Sequence, residues 1–315
     1  MHVWERATQE AGLAEREPMG GWAEEIARAL TNPKRAAGLK PLPVAAATLS
    51  LVTIACAGIA SITTLVWDGA FPASSPLVVN GVLAEARGWS VVTLALAIPL
   101  ALVSLVRAVR GAMQARVLWL GSLAYFTYTY LEFAVSPPFT ALYLCYIVAF
   151  ACAIPALVLG VGSIDVDGGA AGFRIGRLRR PIAAFSLAFA VLLSLAWLKP
   201  ILTRTRAGDF GWPGGEDAVG HVVRALDLGL QVPLGVATGV LLLRRRASGY
   251  LLGGIFLAMA VCMGGALTAM VAWRAVVAGE SIAQATPFGM AWAIGAALAI
   301  AYFRVPGTAR AHGAS

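Results

Sequence analysis

This chain is poor in nearly everything that soluble chemistry draws on. Only 13% of its 315 residues are charged, about half the share of an average soluble domain. Of its three histidines, His2 and His312 lie at the two ends. A bis-histidine haem or a histidine-rich metal centre within one chain is therefore excluded. The four cysteines, Cys56, Cys145, Cys152 and Cys262, all fall inside apolar runs. No CxxC spacing occurs, which argues against a structural zinc site, and no cysteine sits in a loop where a disulfide is expected. GxSxG, HExxH and GxxxxGK[ST] strings are missing too, so these hydrolase, metalloprotease and phosphate-binding templates fail. Gly160-Val161-Gly162 beside Asp165 and Asp167 reads as a turn. The expectation is no metal, no cofactor and no assignable catalytic residue.

What the chain has instead is apolar length. It is 59% hydrophobic, with a mean hydropathy of +0.78. Eight apolar stretches run at roughly 43–67, 89–110, 116–135, 138–162, 181–202, 221–243, 248–273 and 285–304. Each is long enough for a helix to cross a hydrocarbon core of about 30 Å. The fold class is thus all-α, a polytopic membrane bundle of eight transmembrane helices, and no room is left for a soluble catalytic domain. Residues 1–42 form a separate N-terminal segment, 43–304 the membrane domain and 305–315 a tail. Residues 1–40 carry several acidic and basic groups and lack the apolar core of a signal peptide. Trp22, Ile26 and Leu30 recur there at a spacing of four. That pattern reads either as a short amphipathic helix on the inner membrane face or as a poorly ordered tail.

The formal charge of +8 is not a nucleic-acid signal. Lys34, Arg35 and Lys40 precede the first span, and Arg107, Arg110, Arg116, the run from Arg174 to Arg180 and Arg244 to Arg246 lie between spans. The opposite loops hold Asp68, Glu85 and Arg87, or almost no charge. Positive charge on one set of loops faces the cytoplasm, which puts both termini there, in a bacterial inner membrane. Trp67, Trp89, Trp212 and Trp273 fall near the outer boundary, as aromatic belt residues do.

The chain also resembles itself. Pro43-Val44-Ala45-Ala46 opens the first span as Pro181-Ile182-Ala183-Ala184 opens the fifth. Ile98-Pro99-Leu100 parallels Val232-Pro233-Leu234, with Arg110 and Arg244 at the same distance beyond. Pro138-Phe139 precedes the fourth span as Pro287-Phe288 precedes the eighth. The order is the same in both halves, so a parallel 4+4 repeat is expected, with halves 43–162 and 181–304. Pro99 and Pro233 lie mid-span, where each removes a backbone hydrogen bond and bends its helix. The bends either open a cavity between the halves or only serve packing. Gly235 and Gly239 make a GxxxG in the sixth span, a pattern that favours close helix contact.

Ionisable groups at membrane depth are costly and so point to a cavity, a partner or the bundle interior. Glu132 lies near the outer end of the third span, after Tyr125, Tyr128 and Tyr130. Asp227 lies about two turns inside the outer end of the sixth, with Arg224 and Gln231 on the same helical face. His221 is a turn further out, and Lys199 lies near the outer end of the fifth span. Two readings stand side by side. In one, Asp227, Glu132, Tyr128, Gln231, Arg224 and His221 line an outward-facing site for a proton, a cation or a small polar solute. In the other, Arg224 neutralises Asp227 within one helix, and the protein is a scaffold or accessory subunit with an oligomeric or membrane partner. A third reading, an enzyme acting on a lipid, has only Glu132 and Asp227 as its acid/base pair.

Several strings extend this picture. Leu118-Trp119-Leu120-Gly121, Ala124-Tyr125-Phe126 and Tyr128-Thr129-Tyr130, then Ala225-Leu226-Asp227-Leu228-Gly229, Val232-Pro233-Leu234, Arg244-Arg245 and Gly249-Tyr250, resemble a group of bacterial multi-pass integral membrane proteins. The resemblance covers most of the membrane region but not residues 1–40, and it implies no activity.

Overall fold

In lipid a backbone has no water to bond to, so each apolar run must close its hydrogen bonds within itself as a helix. A computed structural model describes residues 38–72, 81–136, 138–166, 176–210 and 216–305. These residues are all-helical apart from loops, with only an isolated bridge between Leu39 and Ile164. The long helices are α1 (Val44–Val66), α2 (Val82–Val109), α3 (Met113–Val135), α4 (Tyr143–Gly162), α5 (Arg179–Ala207), α6 (216–243), α7 (Ala247–Ala278) and α8 (Thr286–Arg304). Seven of them are long and apolar enough to cross a membrane. The eighth, α3, has the length but not the apolarity, because tyrosine, threonine, glutamine and glutamate interrupt it.

Several ends differ from the apolar boundaries. Helix α2 starts seven residues before residue 89, since its first turns carry Glu85 and Arg87, which pair with Arg274 and Asp68 and hold a polar turn in helical form. Helix α4 starts later than residue 138, after the prolines, where Thr140 Oγ1 accepts the Leu142 N–H at 3.3 Å. Helices α5 and α7 run to 29 and 32 residues, or about 43–48 Å, and so extend beyond a bilayer core. Arg179, at the start of α5, donates to the carbonyls of Leu242 and Leu243. The surplus length of α5 therefore lies at the opposite end.

Helices α3 and α7 form the centre. They cross at Gly121, where a Cβ would come 2.3 Å from Ala258 Cβ and 2.7 Å from the Ile255 carbonyl. Helix α4 packs on α1 and α3, α2 on α7 and α3, α6 on α5 and α7, and α8 on α7. Helices α5 and α8 meet weakly, Phe185 lying against Gly295. Burial follows this plan: half of α7's apolar window is buried, against 17% of α8's.

The arginine-rich loops gather at one end. Arg116, fully buried, donates through Nη1 to the Lys40 carbonyl at 2.8 Å and Ser163 Oγ at 3.0 Å, and through Nη2 to the Ala108 carbonyl at 3.0 Å. Its cation thus sits against the C-terminal carbonyls of α2, the negative end of that helix dipole. Two residues earlier, Gln114 Nε2 donates to the Val305 carbonyl. The first turn of α3 therefore holds both Lys40 and Val305, so the described chain comes in and leaves at one end.

Helices α2 and α6 share an unusual construction. Each has an 11-residue α-helix, a five-residue π-helical segment and a 12-residue α-helix: Val82–Val92, Thr93–Ala97 and Ile98–Val109 in one, Glu216–Leu226, Asp227–Gln231 and Val232–Leu243 in the other. Pro99 and Pro233 are each the second residue of the last piece. Proline offers no N–H and crowds the carbonyl four residues back, and widening to a π turn absorbs both effects. Accordingly Ile98 N–H bonds to the Thr93 carbonyl and Val232 N–H to that of Asp227. Each helix then ends on an arginine of near-identical backbone, Arg110 (φ −72°, ψ 2°) and Arg244 (φ −75°, ψ 2°). A left-handed residue follows in both cases, Gly111 (φ 87°) and Arg245 (φ 56°).

One aromatic expectation is overturned. Trp89 is not a lipid-facing belt residue but is 6% exposed and stacked on Tyr125. Helix α7 comes so close at Gly88, where a Cβ would meet the Ala269 carbonyl at 2.4 Å, that this face of α2 is interior. Trp67 and Trp273 do keep exposed surface. Trp212 and the Trp22–Leu30 amphipathic pattern lie outside the described residues.

Candidate functional site

A polar point in the interior of the bundle is set by depth. Asp227 lies sixteen residues from Leu243 on α6 and Tyr128 fifteen from Met113 on α3, which places both about 22–24 Å from the arginine-rich end. Helices α3 and α6 bring them together. Tyr128 O–H donates to Asp227 Oδ1 at 2.5 Å, and Trp197 Nε1–H of α5 donates to Asp227 Oδ2 at 2.7 Å. Asp227 is 8% exposed and Tyr128 6%. Both carboxylate oxygens thus accept from neutral donors on two other helices. Among the described residues Asp227 has no ion-pair partner. The within-helix neutralisation by Arg224 is not what the geometry shows, since the Arg224 guanidinium lies over the Trp197 ring, 5.9 Å from its centroid.

The other candidates take graded positions around this pair. Glu132, one turn beyond Tyr128 on the same face of α3, is buried. It accepts from Ser136 Oγ at 3.2 Å and lies within electrostatic reach of both Asp227 and Tyr128. Gln231 closes the π segment that Asp227 opens and is also buried. His221 and Lys199 are exposed on the far parts of α6 and α5, and neither bonds to Asp227. A shallow apolar groove of about 190 Å³, lined by Leu187, Ala190, Val191, Ser194, Leu195 and Val236, lies lower on α5 and α6. It offers no charge to a polar solute.

No family model, curated protein or solved structure matches this chain.

The residue that sequence reasoning missed is Trp197. An indole N–H inside an apolar run is a donor that lipid cannot satisfy, and this one stands at the distance along α5 that matches Asp227 on α6. That coincidence of depth was the available signal. A neutral pair stands at the start of the other π segment. Thr93, which opens the π segment of α2, shares a 2.7 Å hydrogen bond with the hydroxyl of Tyr125, three residues before Tyr128 on α3. Thr93 and Asp227, Pro99 and Pro233, and Arg110 and Arg244 are related by one constant sequence offset. Among the described residues no group of three or more His, Cys, Asp or Glu side chains converges as a metal site would require. Chemically, the arrangement is a buried carboxyl gripped by a phenol and an indole, with a second carboxyl one turn outward.

Proposed function

We propose that this all-helical membrane protein takes up a small cation or polar solute at Asp227. Access is from the end of the bundle opposite the arginine-rich loops. The observation that carries this reading is the placement of a carboxyl at membrane depth with only neutral donors on its oxygens. Such a group is costly to keep, and it is poised to exchange charge with whatever reaches it. Glu132, Arg224 and His221 form the approach, and Gln231 lies one turn deeper than Asp227. With positive loops inside, that end is extracytoplasmic, the termini are cytoplasmic and the membrane is a bacterial inner membrane.

The chain is, on this reading, two parallel four-helix copies. The matched α–π–α construction of α2 and α6, with its constant offset and repeated arginine turn, supports that duplication. The copies have diverged at one functional point, Thr93 in the first and Asp227 in the second. The test is flux in proteoliposomes across a panel of ions and small polar solutes, comparing wild type with Asp227→Asn. Movement of one species that stops in the variant supports the reading, and no movement of any species in wild type overturns it.

A second reading has its own observation. Asp227 joins α6 to α3 and to α5 at once, as a structural clasp in a scaffold subunit would. In that case Asp227→Asn lowers stability and leaves any flux unchanged.

A further inference from the structure

Resting on the reading of Asp227 as an uptake site, we infer that the species taken up is a proton, delivered through Glu132 and Tyr128. A metal cation needs several oxygen ligands around it, six or more for calcium or magnesium. Asp227 already accepts an O–H on one oxygen and an N–H on the other, so at most two of its four lone pairs are left for a metal. Among the described residues no group of three or more His, Cys, Asp and Glu side chains converges there as a metal site would require. A proton needs no such shell. It needs only an oxygen and a hydrogen-bonded way in.

Helix α3 supplies the groups for one. Tyr125, Tyr128, Glu132 and Ser136 succeed one another at spacings of three and four, so they form a single polar row along one helical face. Ser136 lies at the end of α3 remote from the arginine-rich loops and donates to Glu132. Tyr128 donates to Asp227. In the transfer, the Glu132 carboxyl, one helical turn from Tyr128 and so able to reach its hydroxyl, gives its proton to the Tyr128 oxygen while the Tyr128 O–H bond breaks toward Asp227 Oδ1. One O–H bond forms on Tyr128 and one on Asp227, and one breaks on Glu132 and one on Tyr128. Glu132 ends as carboxylate, Asp227 as carboxylic acid, and nothing is oxidised or reduced. The row ends at Tyr125 and Thr93, below which Leu123, Leu120 and Trp119 close the core. Access is therefore one-ended. The titratable and charged groups around Asp227 are Tyr128 and Glu132 from α3 and, over the Trp197 ring one turn along α6, Arg224; Trp197 from α5 donates to it.

The experiment is infrared difference spectroscopy on the full chain in lipid nanodiscs after a pH jump. The protonated-carboxyl carbonyl band is assigned to Asp227 by its loss in Asp227→Asn. In wild type that band forms on acidification and is unchanged when sodium replaces choline. In Glu132→Gln it reaches the same final amplitude but forms about 100-fold more slowly, the scale of a lost proton-transfer group. Glu132→Asp restores most of the rate, and circular dichroism confirms that each variant is folded. An unchanged rate in Glu132→Gln, or a band displaced by sodium, overturns the inference while leaving Asp227 as an uptake site. No Asp227 band at any pH at which the protein stays folded overturns the inference too, whereas the reading of the site itself falls only if no species moves in the flux panel.

Discussion

At the scale of single residues, Asp227 shows how a membrane protein keeps a carboxyl that lipid penalises. Each of its oxygens has one donor, and each donor comes from a different helix. Losing either leaves a buried acceptor unsatisfied, which costs about 1–3 kcal/mol. Tyr128→Phe and Trp197→Phe are each expected to lower unfolding free energy by that amount, measured by detergent-denaturant titration. Asp227→Asn, which keeps an acceptor and adds its own donors, should cost less than Asp227→Leu. Equal losses for Asn and Leu would count against hydrogen bonding as the source of the effect. The depth and cost of Asp227 were legible in the sequence, as was the tyrosine row that includes Tyr128. Trp197 was not, because the N–H of an indole declares its partner only once α5 and α6 are known to touch. Gly235 and Gly239 announced that α6 lies close to some neighbour. That the neighbour is α5, with Ser186 and Leu187 against those glycines, is a fact of packing and not of pattern.

At the scale of elements, the π segments of α2 and α6 matter most. Each sets the rotation of its outer helix relative to the inner one, and Thr93 and Asp227 stand at the points where that rotation begins. Replacing Pro233 by alanine restores an N–H and removes the ring that forced the wider turn. Return to an α-helical turn would swing Asp227 by about 100° around the axis, away from Tyr128. The interaction energy between Tyr128→Phe and Asp227→Asn, taken from a double-mutant cycle, is then expected to fall to near zero in a Pro233→Ala background. Retention of the full coupling would show that the proline does not set the position of Asp227. The α3–α7 crossing makes a second prediction. Gly121→Val pushes a branched side chain into Ala258 and the Ile255 carbonyl, and the overpacking should cost about 3 kcal/mol, whereas Gly162→Val, at a position with nothing nearby, should cost under 1 kcal/mol. The prolines and the GxxxG were visible in the sequence, but the conversion of a kink into a π turn was not, since periodicity gives no backbone hydrogen-bond register.

At the scale of the whole molecule, the two polar ends differ in kind. One end is tied by Arg116 and Gln114 to both Lys40 and Val305. The other carries the Arg87–Asp68, Glu85–Arg274 and Arg204–Asp209 pairs. With the positive loops inside, a fluorescent-protein fusion after residue 305 should fluoresce and a periplasm-dependent phosphatase inserted after Gly208 should be active. The opposite pair of results would invert the proposed orientation. The number and order of the helices were legible because lipid demands long apolar runs. Which faces meet was not, and Trp89 is the instance: its depth suggested a belt, yet Gly88 lets α7 close over it.

The central position of α3 also bears on how the chain is made. A helix surrounded by other helices need not be apolar, and α3 has spent that freedom on tyrosines, threonines and a glutamate. During synthesis it emerges before α4, α6 and α7, which will surround it. By its own composition it gains little from lipid at that moment. Its insertion should therefore wait on a neighbour, most simply α4, which is strongly apolar and packs along it. A chain stopped after residue 136 should leave α3 outside the bilayer, and one stopped after residue 166 should carry it in.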